Sequence, residues 1–418
     1  MKQQWLSDSL CVFWIGLMIS LVSGRVGDAE DWPGFRGLDL SAARPDGSIP
    51  LASLSANNPT WSVDLGTTDA GSVAIQDGHA FLLSASKDRQ SIRLICLEQA
   101  TGNEDWSRSF PNADNHLHSR NTLASGTPAT DGEYVIIAHS DRTHTFVRCL
   151  THGGEEVWSR DFGTAQSQHG FGTSPTIHGD TVLFNFSQQA ERLRSGSPGQ
   201  SRIIAMDRAT GDVKWETPLT STRVCYSVPV VKDGMVICTN TGDGVFALSL
   251  ETGEKLWNAS VFSMRCVSTP VIADDLIIGS SGSGGGGNHL VAVRMPLEPT
   301  SKPVEAFRLD RSAPYVPTGV MGGDKLFVVD DKGIASALSL SDGRVLWNKR
   351  LGGNFSASPV LVGDLLIFVS MQGELTVVRA GDQFDEVASV DLAGSVSATP
   401  AYADGQLFIR VGSELRCY

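Results

Sequence analysis

RVCYSVPVVKDGMVICTNTGDGVFALSLETGEKLW, residues 223–257, contains the pattern that decides the fold of this chain. Short apolar runs over 226–231, 235–238 and 245–250, and a last one closing at Trp257, are separated by Asp-Gly and Thr-Gly pairs. Strands of this length between such turn signals are typical of successive hairpins. The proline that opens the first strand, Pro229, is tolerated there because that position needs no donated hydrogen bond. The stretch therefore predicts four consecutive antiparallel strands.

The same pattern recurs along the whole chain. The opening proline, usually after Ser, Thr or Val, is matched by Pro128, Pro175, Pro270, Pro317, Pro359 and Pro400. The small residue of the third strand, Ala247, is matched by Cys96, Cys149, Ala205, Ala292, Ala337, Val378 and Cys417. The closing tryptophan is matched by Trp106, Trp158, Trp215 and Trp347. A four-stranded repeat of roughly 40–50 residues is the signature of a β-propeller blade.

The count of repeats predicts a closed ring of eight blades. Seven complete units cover 71–109, 123–161, 170–218, 223–261, 265–310, 315–351 and 355–392. The last segment, 397–418, supplies only three strands, and the missing one is available at 60–65, which carries Trp61. Pairing the two ends removes an exposed sheet edge. We therefore predict an all-β fold: an eight-bladed propeller over 60–418, closed by an N-terminal strand in the last blade, with an N-terminal extension at 30–59.

The first residues resemble an export signal. Lys2 precedes an apolar run over 10–22, and small residues follow at Ser23 and Gly24. The run is shorter than the roughly 20 residues that span a bilayer. This pattern favours a signal peptide over 1–29, cleaved near 24–29, against an uncleaved anchor. The mature chain would then be secreted or periplasmic, with no transmembrane domain.

The charge of the chain limits its partners. Its formal net charge is −13, which opposes binding to phosphate backbones and to anionic membrane surfaces. Nucleic acid is therefore excluded as an expected partner.

Two cysteines stand at equivalent positions of neighbouring repeats. Cys225 and Cys266 each lie four residues before their repeat's proline. A disulfide between them is one interpretation in an oxidising compartment, and two buried thiols are the other.

The loops predict where a functional site lies. Turns between the first and second strands, and between the third and fourth, are short and uniform, and they share one face of the disc. The opposite face, called the upper face here, carries longer and more varied loops and the links between blades. Function on a rigid scaffold usually lies on variable loops, so we expect the site on the upper face.

Residues just before each innermost strand should surround the upper mouth of the axial channel. The candidate ligand-binding residues of this funnel are His116, His118, Arg120, His169, Arg223, Tyr226, Arg265 and Tyr315, with Asp69, Gln168 and Asn354 in the same ring. Histidines and arginines together in an acidic protein predict capture of a small anion, a carboxylate or an acidic peptide. Arg223 and Arg265 are the expected anchors. The alternative is that these side chains pair with Asp and Glu across the mouth or hold loops.

Other chemistries have weaker signals. His116, His118 and His169 are a possible metal set, but no Cys or carboxylate at regular spacing supports it, so no metal site is predicted. The glycine-rich run 281–287 joins two strands and is not followed by Lys-Ser/Thr, unlike a phosphate-binding loop. No catalytic residue is predicted.

The blade signature, Ser/Thr-Pro, Ala-Leu and Thr-Gly-x-x-x-Trp, resembles the pyrroloquinoline-quinone-type propeller repeat family. The start, DWPGFRG at 31–37, is similar to that of secreted planctomycete members of the family. The resemblance implies one of two functions, since the family contains quinoprotein dehydrogenases and non-enzymatic propellers such as the scaffold of the outer-membrane barrel assembly machine.

Departures from the dehydrogenase pattern favour the second function. The enzymes carry adjacent cysteines, a tryptophan against the quinone and a Glu/Asn/Asp calcium cluster, and none of these can be placed here. The lipidation cysteine of the barrel-assembly scaffold is missing too. We expect a non-catalytic binding or scaffolding module without a cofactor, whose partner is an envelope protein or a small anionic ligand. The alternatives are a quinone- and calcium-dependent alcohol or sugar dehydrogenase, and a polysaccharide binder using Phe171 and Phe355.

Overall fold

The chain is described by a computed structural model over residues 31–49, 51–54, 58–113, 115–193, 196–296 and 301–418. In these ranges it forms eight sheets; in six of them the four strands follow one another in chain order from the axis to the rim, and the other two each include a strand from the N-terminal part of the chain. The helical elements of the described part are two short 3-10 turns, Leu38–Leu40 and Leu51–Ser53. The predicted all-β, eight-bladed propeller is therefore confirmed. The predicted signal peptide, residues 1–29, lies outside the described residues.

Each blade has a short innermost strand, because the chain has little room near the axis. From the axis outwards, the strands of the first four blades are Ala74–Gln76, His79–Ala85, Ser91–Glu98 and Glu104–Pro111 in blade 1; Ala129–Thr130, Tyr134–Ser140, Thr145–Thr151 and Glu156–Asp161 in blade 2; Thr176–His178, Thr181–Phe186, Arg202–Asp207 and Val213–Pro218 in blade 3; and Val230–Lys232, Met235–Asn240, Gly244–Ser249 and Lys255–Ala259 in blade 4.

The second half of the ring repeats this arrangement. Its strands are Val271–Ala273, Leu276–Ser281, His289–Arg294 and Val304–Leu309 in blade 5; Val320–Gly322, Lys325–Val329, Ile334–Ser339 and Val345–Arg350 in blade 6; Val360–Val362, Leu365–Val369, Glu374–Arg379 and Glu386–Asp391 in blade 7; and Ala401–Ala403, Gln406–Val411, Glu414–Cys417 and Trp61–Asp64 in blade 8.

The N-terminal strand closes the ring as the sequence predicted. Trp61 lies opposite Cys417, and Asp64 lies opposite Glu414, in an antiparallel pair. The amide of Leu65 extends the ladder by donating to the carbonyl of Ser413 at 2.8 Å. First and last segments of the chain thus share one sheet, and the ring keeps no open seam between them.

The recurring tryptophans and glycines form the same type of contact at several junctions between neighbouring blades. The indole of Trp158 in blade 2 donates to the carbonyl of Arg208 in blade 3 at 2.8 Å. Its ring covers Gly211, where an added Cβ would lie 2.5 Å from the indole. The same arrangement joins Trp61 to Gly102, Trp106 to Gly154 and Trp215 to Gly253. Blades 8, 1, 2 and 3 therefore each fix the outer hairpin of the next blade.

Two predicted repeat positions are wrong by one or two residues. The residue directly before the first strand of blade 6 is Gly319, and Pro317 lies two residues earlier. A Cβ at Gly319 would lie 2.9 Å from a methyl carbon of Val328, so close packing explains why glycine replaces the proline. In blade 7 the small position opposite the second strand is Val377, which pairs with Ile367, and Val378 is its neighbour.

The N-terminal extension crosses the lower face of the disc. Trp32 bridges to Ile75 of blade 1, and the carbonyl of Pro33 accepts from Thr130 of blade 2 at 2.8 Å. Farther along, the strand Ala43–Arg44 pairs in parallel with the innermost strand of blade 7. The extension therefore connects blades that are distant in sequence.

In the described part of the chain, no helix has both the length and the apolar character needed to cross a membrane.

Candidate functional site

A cavity of about 460 Å³ lies on the axis of the ring. All eight blades contribute to it, mostly through residues that precede their innermost strands. This axial cavity is lined by Phe35, Ala70, Ser72, His118, Arg120, Asn121, Ser125, Thr127, His169, Gly172, Ser174, Tyr226, Val228, Arg265, Val267, Ser283, Gly284, Tyr315, Val316, Thr318, Ser356, Ser358, Ser397 and Thr399.

Side-chain hydroxyls hold the wall of the axial cavity together. The amide of one blade donates to the hydroxyl at the same position of the next blade, as from Thr127 to Ser174 at 2.9 Å. The same bond joins Ser72 to Thr127, Val228 to Thr269, Thr269 to Thr318, Thr318 to Ser358, and Ser358 to Thr399. Five of the six accepting hydroxyls belong to the Ser or Thr directly before the repeat's proline, and the sixth belongs to Thr318, which precedes Gly319. The sequence contained this signal, but its role in joining blades was not predicted.

The floor of the axial cavity comes from the N-terminal extension. Phe35 is the residue of the extension that lines the cavity. Beside it, the buried guanidinium of Arg36 donates to the carbonyls of Thr318 and Gly319, at 3.2 and 2.6 Å. Burial lowers the pKa of Arg36 to about 9. The resemblance motif at 31–37 thus closes the lower end of the channel, a role that the sequence did not predict.

Arg265 is the central charged residue of the mouth. Its side chain is only 8% exposed. Nε donates to the carbonyl of Val224 at 2.8 Å, and Nη1 donates to Nε2 of His169 at 2.7 Å. Arginine can only donate, so this nitrogen of His169 carries no proton. Among the described residues, no carboxylate forms an ion pair with Arg265.

Two tyrosines and a second histidine complete this part of the mouth. The hydroxyl of Tyr226 donates to the carbonyl of Gly170 at 2.9 Å, and burial raises the pKa of Tyr226 to about 12. Burial also raises the pKa of Tyr315, although the nearby guanidinium of Arg265 opposes the shift. The ring of His118 meets that of His169 edge-on, with centroids 4.9 Å apart. The structure therefore brings these predicted residues together with Arg265.

Arg120 also lines the axial cavity, but its charge is compensated. Its guanidinium lies 3.2 Å from a carboxylate oxygen of Asp331 and donates to the carbonyl of Phe355 at 2.9 Å. The other oxygen of Asp331 accepts from the amide of Tyr315 at 2.7 Å. Arg120 therefore connects the link before blade 2 to the loops of blades 6 and 7.

Arg223 and His116 are not among the residues that line the axial cavity. Nε of Arg223 lies 2.9 Å from a carboxylate oxygen of Glu191. This ion pair joins the segment before the first strand of blade 4 to the loop after the second strand of blade 3. His116 lies in a second, larger depression of about 1000 Å³ on the upper face. This upper groove is lined by Arg89, Asn115, His116, Leu117, His118, Ser119, Asn121, Arg142, Thr164, Ala165, Gln166, Ser167, Gln168, Gln189, Leu193 and Gly196. His118 and Asn121 line both depressions.

The other funnel positions named from sequence have different surroundings. Asp69 lies in the interface of blades 8 and 1, where it pairs with Arg410 at 3.1 Å with both side chains 3% exposed. Gln168 lines the upper groove. Asn354 lies outside both linings, and its backbone N–H donates to the side-chain oxygen of Gln372 at 2.9 Å.

Potential metal ligands come together away from the funnel. Within the described ranges, the group of three such side chains is His79, Cys96 and Asp105 in blade 1, whose ligand atoms lie within 4.8 Å of one another. Cys96 is completely buried, and burial raises its pKa to about 12. Cys96 fills the repeat's small buried position, as Ala247 does in blade 4, so its place in this group is explained by the repeat. His116, His118 and His169 do not form such a group.

The two cysteines for which the sequence allowed either a disulfide or two buried thiols lie next to each other in the structure. Cys225 and Cys266 are buried free thiols. The amide of Cys266 donates to the sulfur of Cys225 at 3.3 Å, so the two residues are neighbours across the interface of blades 4 and 5.

The aromatic residues proposed for glycan binding are not available for stacking. Phe355 is 1% exposed and belongs to the core. Phe171 is half-buried, with its ring 6.2 Å from that of Phe184. Sugar rings need an accessible aromatic face, so these two residues do not support a polysaccharide site.

Comparison with known proteins gives one family. Residues 46–294 and 308–392 match the family model described as outer membrane protein assembly factor BamB. A curated relative of that description from Alteromonas naphthalenivorans is 25% identical over 255 residues, 59% of this chain. This chain spans 59% of the length of that relative.

Two solved structures show the likeness in three dimensions. BamB from Moraxella catarrhalis has a TM-score of 0.63 at 15% identity, covering 86% of this chain and 98% of that chain. A europium-containing methanol dehydrogenase has a TM-score of 0.64 at 12% identity, covering 91% of this chain and 89% of that chain. At these identities the likeness shows a shared fold.

Proposed function

The chain belongs to the family described as outer membrane protein assembly factor BamB, and from that membership we propose that it is a non-catalytic binding or scaffolding propeller. Its ligand, or a segment of its partner, enters the funnel on the upper face. The proposed partner is an envelope protein or a small anionic ligand. Assembly of outer-membrane proteins is what the relatives' description names, and the same kind of work is proposed for this chain.

The charge of the axial cavity is the observation that carries the proposal. Its described lining residues include Arg265, with which no described carboxylate forms an ion pair, together with Arg120 and two histidines, and none of them is Asp or Glu. The whole chain has a net charge of −13. A local cationic cleft in an acidic protein concentrates anionic ligands at that point. Among the described lining residues, no nucleophile is hydrogen-bonded to a base, the arrangement that covalent catalysis requires.

The dehydrogenase alternative fits the lining poorly. The quinone of such enzymes carries carboxylates, for which Arg265 would be suited. Calcium, however, takes carboxylate and carbonyl oxygens, and none of the described residues that line the cavity is Asp or Glu. None of these lining residues is a tryptophan either, although one stacks on the quinone in those enzymes. The residues present do not fit the quinone–calcium pair, and this favours the binding module.

The proposal extends to the location and organisation of the chain. A leader at 1–29, cleaved near 24–29, would deliver a mature protein to the periplasm or the exterior. That protein would consist of an extension at 30–59 and one propeller at 60–418. N-terminal sequencing of the protein purified from its native cells checks the cleavage point.

Affinity isolation tests the proposed function. The tagged full-length protein is expressed in its native cells and isolated from detergent-solubilised envelopes, with an Arg265→Gln variant in parallel. We expect the wild type to retain a defined envelope protein and the variant to retain less of it. In a second assay, pyrroloquinoline quinone and calcium are added to the purified protein and dye reduction is followed with alcohols and sugars. Turnover in that assay would overturn the non-catalytic function.

A further inference from the structure

The buried guanidinium of Arg265 forms no ion pair with a carboxylate of the described residues. It is 8% exposed and lines the axial cavity, and its short hydrogen bonds go to a carbonyl and to an uncharged imidazole. Buried charges in proteins are generally paired, because an unpaired one loses solvation without compensation. Arg120 and Arg223 follow this rule, with partners in Asp331 and Glu191. Arg265 is therefore the funnel arginine whose partner is expected to come from a ligand.

The remaining donors of Arg265 suit a carboxylate. A guanidinium has five N–H groups. Apart from the two short bonds, Arg265 makes two long contacts, each of 3.5 Å, to the hydroxyl of Tyr315 and the side-chain oxygen of Gln189. These distances are at the outer limit of a hydrogen bond. A carboxylate can replace such weak contacts with two parallel charge-assisted bonds.

The shape of the axial cavity indicates an end of a ligand rather than its middle. Phe35 and Arg36 close the lower end, so a chain that enters from the upper face cannot leave on the other side. The walls alternate hydroxyl groups with apolar side chains such as Val228, Val267 and Val316. Such a lining accommodates both a peptide backbone and small apolar side chains.

A route to the axial cavity exists on the upper face. The upper groove shares His118 and Asn121 with the axial cavity. Like the cavity, the groove has no Asp or Glu among its described lining residues. An extended chain could therefore lie in the groove with its last residues in the axial cavity.

We propose that the axial cavity binds the carboxy-terminal end of a polypeptide, with the terminal carboxylate on Arg265 and the preceding residues in the upper groove. This inference rests on the proposed function and specifies the partner segment. A free small carboxylate shares the same chemistry, and the experiment separates the two sources.

The test measures fluorescence anisotropy with the full-length protein and two probes. The probes are N-terminally labelled hexapeptide mixtures of random sequence, one with free carboxy termini and one with carboxamide termini. We expect the free acids to bind about tenfold more tightly or better, since a charge-assisted bidentate contact is lost in the amide. Equal binding of acid and amide would overturn the proposal.

Variants identify the residues responsible. Arg265→Gln should lower the affinity for the free acids to that for the amides, and Arg223→Gln, outside the cavity, should leave it unchanged. Because Arg265 also holds the carbonyl of Val224, a second variant avoids it. Ser397→Phe adds a ring within the axial cavity, at a serine for which the structure gives no side-chain hydrogen bond, and it should abolish the preference for acids. Retention of the preference in Ser397→Phe, with an unchanged melting curve, would place the peptide elsewhere.

A competition experiment with small carboxylates separates a chain end from a free small ligand. Benzoate and succinate are titrated as competitors of the labelled acids, and millimolar concentrations should be needed if a chain end is the ligand. Tight binding of either compound without peptide binding would overturn the chain-end inference in favour of a small-molecule site. Affinity isolation separates this failure from that of the proposed function, because an envelope partner retained equally by wild type and Ser397→Phe would support the scaffold and reject this site.

Discussion

Single side chains in this propeller take their roles from the residues that face them. Arg223 and Arg265 occupy similar positions in the sequence of adjacent blades. Glu191 compensates the first, whereas the second lies buried against His169 and a carbonyl. The same principle applies to buried histidines, whose protonation depends on the donors and acceptors around them.

His139 should make stability depend on pH. Its ring is buried between Asn112, at 3.0 Å, and the Nε donor of Arg148, at 3.1 Å. Burial, followed by the charge of Arg148, lowers the pKa of His139 to about 3. Below pH 6.5 the unfolded chain binds a proton that the folded chain does not, so stability falls as the pH drops from 6.5 towards 3. The slope from this group approaches about 1.4 kcal/mol per pH unit.

Denaturant unfolding at several pH values between 7 and 4 checks this prediction. His139→Gln should flatten the acid limb of the stability profile. The exposed His178→Gln serves as the control and should leave the profile unchanged. Identical profiles for the wild type and His139→Gln would show that the ring is not the group that titrates.

Gly211 shows the cost of a single methyl group at the contact between blades. Its φ is +71°, and an added Cβ would lie 2.5 Å from the indole of Trp158. Gly211→Ala should therefore destabilise the protein by about 2–4 kcal/mol through backbone strain and steric overlap. Gly179→Ala in the same blade is the matched control, since φ is +56° there but nothing lies within 4 Å of the new Cβ. Equal losses in thermal or chemical unfolding would mean that the indole contact contributes little.

At the scale of elements, the N-terminal extension acts as a further strand and as a floor. Ala43–Arg44 adds a parallel fifth strand to blade 7, a position that would otherwise be an open edge. Open edges invite pairing with other chains. The extension thus protects an edge at the axis and separates the axial cavity from the lower face.

Removal of residues 31–49 should expose that edge. The amides of Leu361 and Gly363 donate to the carbonyls of Ala42 and Arg44, at 2.9 and 2.8 Å. In the truncated chain we expect hydrogen exchange at these two amides to become faster. The ladder of blade 3, for instance at Leu183, should keep its protection because the extension forms no strand there. Unchanged exchange at Leu361 would contradict the pairing.

At the scale of the whole molecule, the closed ring depends on the junction of blades 8 and 1. The strand Trp61–Asp64 joins the chain ends, and beside it the Asp69–Arg410 pair is buried, with both side chains 3% exposed. Arg410 also donates to the carbonyl of Leu83 at 2.9 Å. One ion pair therefore connects the segment after the closing strand to blade 1 and blade 8.

Loss of one partner of this pair should destabilise the junction of blades 8 and 1. Arg410→Met or Asp69→Asn should each destabilise the protein by about 3–5 kcal/mol, since the remaining buried partner loses its compensation. The double variant should recover part of the loss. Asp385→Asn, at a largely exposed pair with Arg379, should change stability by less than about 1 kcal/mol. Urea unfolding measures all four, and equal small losses would show that closure depends on the strand alone.

The sequence by itself determined the repeat, the blade count and the closing strand. Turn pairs such as Asp233-Gly234, the proline positions and the tryptophans act over a few residues, so they remain visible without tertiary context. The predicted family follows from the same local signals. Even the exception at Gly319 was a shift of two residues, imposed by the neighbouring side chain of Val328.

Tertiary structure alone decided which funnel residues share one cavity. His118, Arg120, His169, Tyr226, Arg265 and Tyr315 line the axial cavity, whereas His116 and Arg223 do not. It also decided that Phe35 closes the floor and that Asp331 compensates Arg120. The physical reason is that ion pairing and burial depend on atoms contributed by different blades, whose distances are fixed only when the ring closes.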